Sequence, residues 1–338
     1  MSLSDTLGSR FFYFYSLPNA ECVCGHTHMS SSPHLRPSAV ISTLLLFSFA
    51  VSVIHAQVAT LAGGGAFVPQ RGVVVNDTTR GDEIYFADSV THTIRKVNVD
   101  SGAVTTVAGK AYAAGLVNGV AGATRFNAPQ GVCWDGTNIF VADTGNHVIR
   151  KITLSTSTVT TYAGGLAVAG TDDAQSDPLK AKFNAPTDCA FLTRALNANF
   201  DDMDMYVADS GSNRIRRINS TGYVSTIAGD SSSQIAGDTD GSSATFRIPS
   251  GLCVANHDAR AAVLYVVDSG NHKIRKVTVT VASDLTASAT TSTLAGPAFS
   301  ESGFSDGINA AALFNGPTDC VGGNALDEIY IADRGNSR

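Results

Sequence analysis

The chain has 338 residues, of which 43% are hydrophobic and 15% charged, and its formal net charge is −6. The apolar fraction excludes wholesale disorder. The charged fraction lies well under the ~25% of ordinary globular chains and excludes a coiled coil or long-helix protein. The acidic balance speaks against a basic nucleic-acid footprint, so no nucleic-acid partner is expected.

The first feature along the chain is an uncharged, mostly apolar run of 16 residues, 39–54. Arg36 precedes it, and small residues at Ala50, Ser52 and Ala56 accompany its end. This order of basic, apolar and small residues reads as a secretory signal. The run is short for a membrane span, which needs ~20 residues. Residues 1–56 are therefore read as a leader holding a signal peptide or signal-anchor, with Met1 or Met29 as its start. The remainder, 57–338, is expected outside the cytosol, secreted or on the cell surface. Membrane contact is expected only through an uncleaved leader or a further carboxy-terminal anchor. Asn76 and Asn219 stand in Asn-x-Thr sequons and are glycosylation candidates.

From residue 58 onward the chain repeats itself. VATLAG at Val58 comes first, then EIYFADSVTHTIRKV from Glu83 and VTTVAG from Val104. The second unit reads FNAPQGVC from Phe126, NIFVADTGNHVIRKI from Asn138 and VTTYAG from Val159. The third and fourth repeat this order from Phe183 and Phe246, and a fifth begins at Phe314. The marker aspartates Asp88, Asp143, Asp209, Asp268 and Asp333 are spaced by 55, 66, 59 and 65 residues. Each unit reads as four short strands rich in β-branched and aromatic residues, separated by Gly, Asn, Asp and Pro. Asp-Thr-Gly-Asn-His and its equivalents supply residues for a tight hairpin, including Asn146, His147, Asn271 and His272. No segment shows capped helical periodicity. The prediction is an all-β fold, a β-propeller of four-stranded antiparallel blades, with four complete blades and part of a fifth.

The quoted elements resemble the NHL repeat family: FN-x-P-x-G-V, then IYVAD-x-x-NHxIRKI, then a VTTLAG-like strand. The likeness covers Val58 to Arg338. It implies a propeller of six blades when full length, so residues 57–338 are expected to be an incomplete NHL-repeat propeller. It implies mainly binding and scaffolding roles. A minority of related propellers are lyases, lactonases or similar hydrolases, and some NHL domains bind RNA through a basic face, which this acidic chain lacks.

Candidate chemistry is sparse. Asp88, Asp143, Asp209 and Asp268 are each followed seven residues on by an arginine (Arg95, Arg150, Arg216, Arg275). Because this pair recurs in every unit, it reads as structure; a catalytic residue is needed once. His92, His147 and His272 fall in equivalent turns of different blades, too far apart to converge on one ion. The Lys and Arg of the Ile-Arg-Lys triplets could form an anion patch, but they read rather as a solvated blade surface with ion pairs. Asp240 and Asp306, each before a Gly, are weak calcium candidates against an ordinary turn. No catalytic residue, resident metal or cofactor is assigned. Returns 110–125, 165–182, 230–245 and 297–313 vary while the strands do not, so binding is expected on their face. The reading is an extracellular or surface-displayed binding module for a protein, peptide or glycan. The alternative is an extracellular lyase, lactonase or hydrolase with a divalent metal.

Cys133, Cys189, Cys253 and Cys320 fall in successive first strands at alternating offsets. Two follow their proline by four residues and two by three. Neighbouring strand residues point to opposite faces. One pairing joins Cys133 to Cys189 and Cys253 to Cys320; the other joins Cys189 to Cys253 and leaves the outer two to seek partners in missing blades. The first uses all four and is preferred. Export favours disulfides over buried free thiols.

Overall fold

A strand sandwiched between two other sheets must be apolar on both faces, and the second strand of each repeat has that character. In Asn138–Asp143 every residue after Asn138 is buried. Its Ile139 and Val141 pack towards the preceding blade with Tyr85 and Ile94, while Phe140 and Ala142 pack towards the following one with Met205 and Val207. Fully burying one such side chain contributes about 1.5–3 kcal/mol, so alternate residues of a single strand hold two neighbours at once.

A computed structural model describes residues 69–77, 81–165, 167–174, 176–193, 203–230, 236–255, 261–282, 285–322 and 328–338. The leader, its apolar run 39–54 and the strand-like Val58–Gly63 segment lie outside them. Blade I comprises β1 (Pro69–Asp77), β2 (Gly81–Asp88), β3 (Thr93–Asn98) and β4 (Val104–Ala108). Blade II begins with the two-residue β5 (Gly119–Val120). It continues with β6 (Val132–Trp134), β7 (Asn138–Asp143), β8 (Val148–Thr153) and β9 (Thr158–Ala163). Blade III holds β10 (Pro186–Thr193), β11 (Met203–Asp209), β12 (Arg214–Ile218) and β13 (Val224–Ala228). Blade IV holds β14 (Pro249–Ala255), β15 (Ala261–Asp268), β16 (Lys273–Val281) and β17 (Ala287–Ala295). β18 (Pro317–Gly322) and β19 (Ile329–Asp333) form the two-stranded start of a fifth. Each blade is an antiparallel meander in chain order, except that β5 adds to the outer edge of blade II beside β9. This is the β-propeller architecture expected from the repeat.

Four hydrophobic clusters fill the four junctions between consecutive blades. Two junctions carry a covalent link as well. Cys133 is bonded to Cys189 between blades II and III, and Cys253 to Cys320 between blade IV and the fifth sheet, each with Cα atoms 5.7 Å apart. This is the pairing that uses all four cysteines. The inner strands approach closely there: a Cβ on Gly131 would stand 2.6 Å from Asp188 Oδ1, and one on Gly251 2.8 Å from Asp319 Cα. A side chain at either glycine would force the blades apart.

Replacing Cys133 and Cys189 together by serine is expected to lower stability by roughly 2–5 kcal/mol. Urea denaturation under non-reducing conditions measures this. An unchanged midpoint would show that packing alone holds the junction.

Candidate functional site

In blades II, III and IV the hairpin between the second and third strands turns through one short 3-10 segment and closes on a left-handed residue. That residue is His147 in blade II (φ 58°), Asn213 in blade III (φ 56°) and His272 in blade IV (φ 56°). Blade I turns without such a segment and closes on the left-handed His92 (φ 60°). Asn and His tolerate this conformation better than bulkier or β-branched residues do. The same side chain then reaches the next blade. His92 Nδ1 accepts from Ala128 N, His147 Nδ1 from Ala185 N, and His272 Nδ1 from Gly316 N, all at 2.9 Å. In place of histidine, Asn213 Oδ1 accepts from Ile248 N at 2.8 Å. The histidines therefore tie blade to blade.

The marker aspartates stand just before these turns, and their carboxylates gather donors from three segments. Asp143 Oδ1 accepts from Asn127 N at 2.7 Å, and its Oδ2 from Asn146 Nδ2 at 2.8 Å and Arg150 Nη1 at 2.9 Å. Asp209 and Asp268 repeat this with Asn184 N and Arg247 N, Ser212 and Asn271, Arg216 and Arg275. Asp333 keeps the backbone donor of Asn315 and the amide of Asn336. Asp88 stands 3.8 Å from Arg95. The spacing of seven thus joins the two ends of each hairpin.

The arginines do more than neutralise the aspartates. Arg150 also donates to the carbonyls of Arg125 and Val117 and to Asn118 Oδ1. Arg216 reaches the carbonyls of Lys182 and Asp172 and the carboxylate of Asp173; Arg275 reaches those of Thr245 and Thr239 and the carboxylate of Asp240. Each guanidinium lies over the ring of Phe126, Phe183 or Phe246, about 5 Å from its centroid. These contacts correct the reading of the triplets as a solvated surface: Arg150 and Arg275 are 0% exposed. The cause is the return, which descends across the outer strand of the blade it introduces and covers the third strand.

Asp240 is consumed by this clamp, accepting also from Thr293, and Asp306 pairs with Arg338 at 3.1 Å. Among the described residues no group of three or more His, Cys, Asp or Glu gathers to hold a metal. Asn219 is buried, and its Oδ1 accepts from Thr221 N and Oγ1 and from Tyr223 N, so a glycan there would require that turn to open. Asn76 lies in β1 opposite Asp82, and the Thr78 of its sequon lies outside the described residues.

Hairpins and returns share one face. Asn146, Asn271 and Asn336 donate to the carbonyls of Gly115, Gly237 and Gly303 in the returns, and Tyr112 N to Thr91 O. On this face stand large exposed apolar side chains: Tyr112, Val168, Phe299 and Phe304, the two phenylalanines at 77% and 63% exposure. Sequence reasoning chose these segments for their variability and passed over the residues. The available signal was a bulky apolar residue inside a Gly- and Ser-rich return.

Burial pushes Asp143, Asp209 and Asp268 up to about 6, against the pull of their donors and arginines. Each proton is then held more tightly in the folded chain than in the unfolded one. These groups therefore favour folding more as pH falls from 6 towards the ordinary carboxylate range, and less as it rises. In melts across that range, the margin of wild type over Asp143→Asn is expected to widen as pH falls; a narrowing margin would reverse the sign. Arg150→Ala leaves a buried carboxylate without its cation and is expected to cost roughly 3–5 kcal/mol in urea denaturation.

No protein-family model matches the chain. Human NHL repeat-containing protein 2 is 29% identical over 178 residues, covering 49% of this chain and 24% of the human protein. The Arabidopsis thaliana protein SUPPRESSOR OF QUENCHING 1, chloroplastic, is 26% identical over 287 residues, covering 80% of this chain and 24% of that protein. The chain thus matches about a quarter of the length of these relatives. Among solved structures, an auxiliary nutrient binding protein from Bacteroides ovatus superposes with a TM-score of 0.53 at 16% identity, covering 80% of this chain and 57% of that one. That likeness speaks to the fold. With the repeat elements and blade geometry above, the chain is similar to NHL repeat-containing proteins and has the fold of a β-propeller.

Proposed function

We propose that this propeller is an extracellular or surface-displayed binding module, and that its loop face receives a protein, peptide or glycan partner. The carrying observation is the combination on that face of exposed apolar side chains with returns clamped by buried arginines, as at Tyr112 in return 110–125 and Val168 in return 165–182. An exposed apolar side chain on a clamped return offers contact area at little ordering cost when a partner binds. The repeated Asp, Arg and His residues are engaged in holding hairpins, returns and blades, which leaves recognition to the returns. Two cross-blade disulfides and the signal-like run 39–54 support export, since disulfides persist in oxidising compartments.

Two measurements check this reading. Amino-terminal sequencing of the protein recovered from medium is expected to begin at Gln57; retention inside the cell would oppose export. Cross-linking in conditioned medium, followed by identification and reconstitution of the partner, is expected to depend on the loop face. Tyr112→Asp and Val168→Asp should each weaken binding at least about tenfold, while Thr160→Glu, on the outer strand of blade II, leaves it unchanged. Equal loss in all three variants would count against a loop-face site.

A further inference from the structure

A residue that every blade carries serves the blade; a residue present once, at a position the repeat fixes elsewhere, serves something else. The element before the inner strand holds Asn127, Asn184 and Asn315 at one position, and each amide donates to the carbonyl of a hairpin glycine, Gly145, Gly211 or Gly335. Blade IV has Arg247 there. Its backbone keeps both of the repeated bonds, with N donating to Asp268 Oδ1 and O accepting from Gly270 N, each at 2.8 Å. Its stem takes the place of the amide, with Cγ 2.7 Å from where a Cβ on Gly270 would stand. The guanidinium is exposed and, among the described residues, makes no hydrogen bond or ion pair.

The next residue departs from the repeat as well. Ile248 stands where the other blades have Ala128, Ala185 and Gly316, in the same left-handed conformation, at φ 52°. A β-branched side chain is the least suited to that region. Ile248 is 56% exposed, so burial does not offset the strain. Beside Arg247 a cleft of about 360 Å³ is lined also by Ala236, Gly237, Asp238, Asn271, Phe299 and Ser300. Asp238 is engaged by Lys273 at 2.7 Å, so it does not quench Arg247.

We propose that this cleft binds a peptide segment carrying a carboxylate beside a bulky apolar side chain. The fork of Arg247 suits a bidentate carboxylate. Phe299 would cover the apolar neighbour. An acidic sugar would satisfy Arg247 but would bring hydroxyl-bearing edges to the exposed Phe299 ring, where an apolar side chain buries more apolar surface, which favours the peptide. This inference rests on the loop-face reading and narrows it to one cleft and one chemistry.

The test uses fluorescent acetylated octapeptides in a Gly-Ser host, carrying Asp-Leu or Glu-Leu, with Asn-Leu and Gln-Leu counterparts and a glucuronate tetrasaccharide as further probes. Fluorescence anisotropy with the full chain is expected to show the acidic peptides bound at least about tenfold more tightly than their amides. Arg247→Asn restores the residue of the other blades together with its hairpin bond. It should abolish that preference while the melting temperature stays level or rises. Phe299→Ser should weaken every peptide while the melting temperature stays level. The proposal is overturned if the preference survives Arg247→Asn, if wild type binds none of the peptides, or if Arg247 serves the saccharide instead. A natural partner that Arg247→Asn retains and Tyr112→Asp loses would refute this cleft and leave the loop-face reading standing.

Discussion

The buried aspartate–arginine pair at the end of each hairpin is the interaction on which the rest depends. Removing two charges from water is expensive, and a well-packed apolar pair would often be no less stable. What such a pair could not do is satisfy polar groups from four segments at once. Asp143 holds the second strand, the turn and the backbone of Asn127, while Arg150 holds the third strand and three carbonyl or amide oxygens of return 110–125. The return has little regular structure of its own, so its carbonyls need donors if it is to lie against a blade. The guanidinium supplies them. A fixed return is in turn what makes the loop face a surface of definite shape.

The blades are also joined in a rhythm of two laid over the rhythm of one. Glu83, Asp204 and Glu328 occupy one position in blades I, III and V, where blades II and IV have Asn138 and Val263. In blades I and III the acid faces a base on the neighbouring strand: Lys96 pairs with Glu83, and Arg217 with Asp204 at 2.8 Å. The cysteines follow the same alternation. The disulfides consequently close junctions II–III and IV–V, while III–IV relies on other contacts. There Arg217 donates to Leu285 O and Asp188 Oδ2 accepts from Leu252 N, each across the junction.

The fold was legible because a propeller blade is nearly self-contained in sequence. Runs such as NIFVAD and VIRKIT correspond to β7 and β8, and the Gly-Asn-His turn to the 3-10 segment and its left-handed residue. The alternating cysteine offset was legible because strand period is local. Burial of Arg150 and Arg275 was not, because an alternating strand reads as half-solvated until one knows that a return of variable sequence folds over it. The bond from His147 to Ala185 was hidden for a related reason: its acceptor and donor are 38 residues apart and on different blades. Local pattern reports what a residue is; depth and cross-blade partners are set by neighbours that the pattern does not name.

The same repetition that reveals structure obscures function, because alignment of the units draws the eye to what they share. At the entrance to blade IV the shared backbone bonds persist while the side chains change: Asn213 Oδ1 replaces a histidine nitrogen as acceptor for Ile248 N, and Asp268 still holds Arg247 N. The scaffold therefore does not require Asn at 247 or a small residue at 248; it tolerates substitution there because its main-chain bonds hold the segment in place. That tolerance is what frees one copy of a structural element to present a cation and an apolar side chain to solvent. It also places the departure beside the III–IV junction, which has no disulfide among the described residues although the junctions on either side of it do. Rigid bonding of the repeated positions and variation at a single copy are thus two aspects of one arrangement, in which the backbone of every blade is held so that the side chains of one can differ.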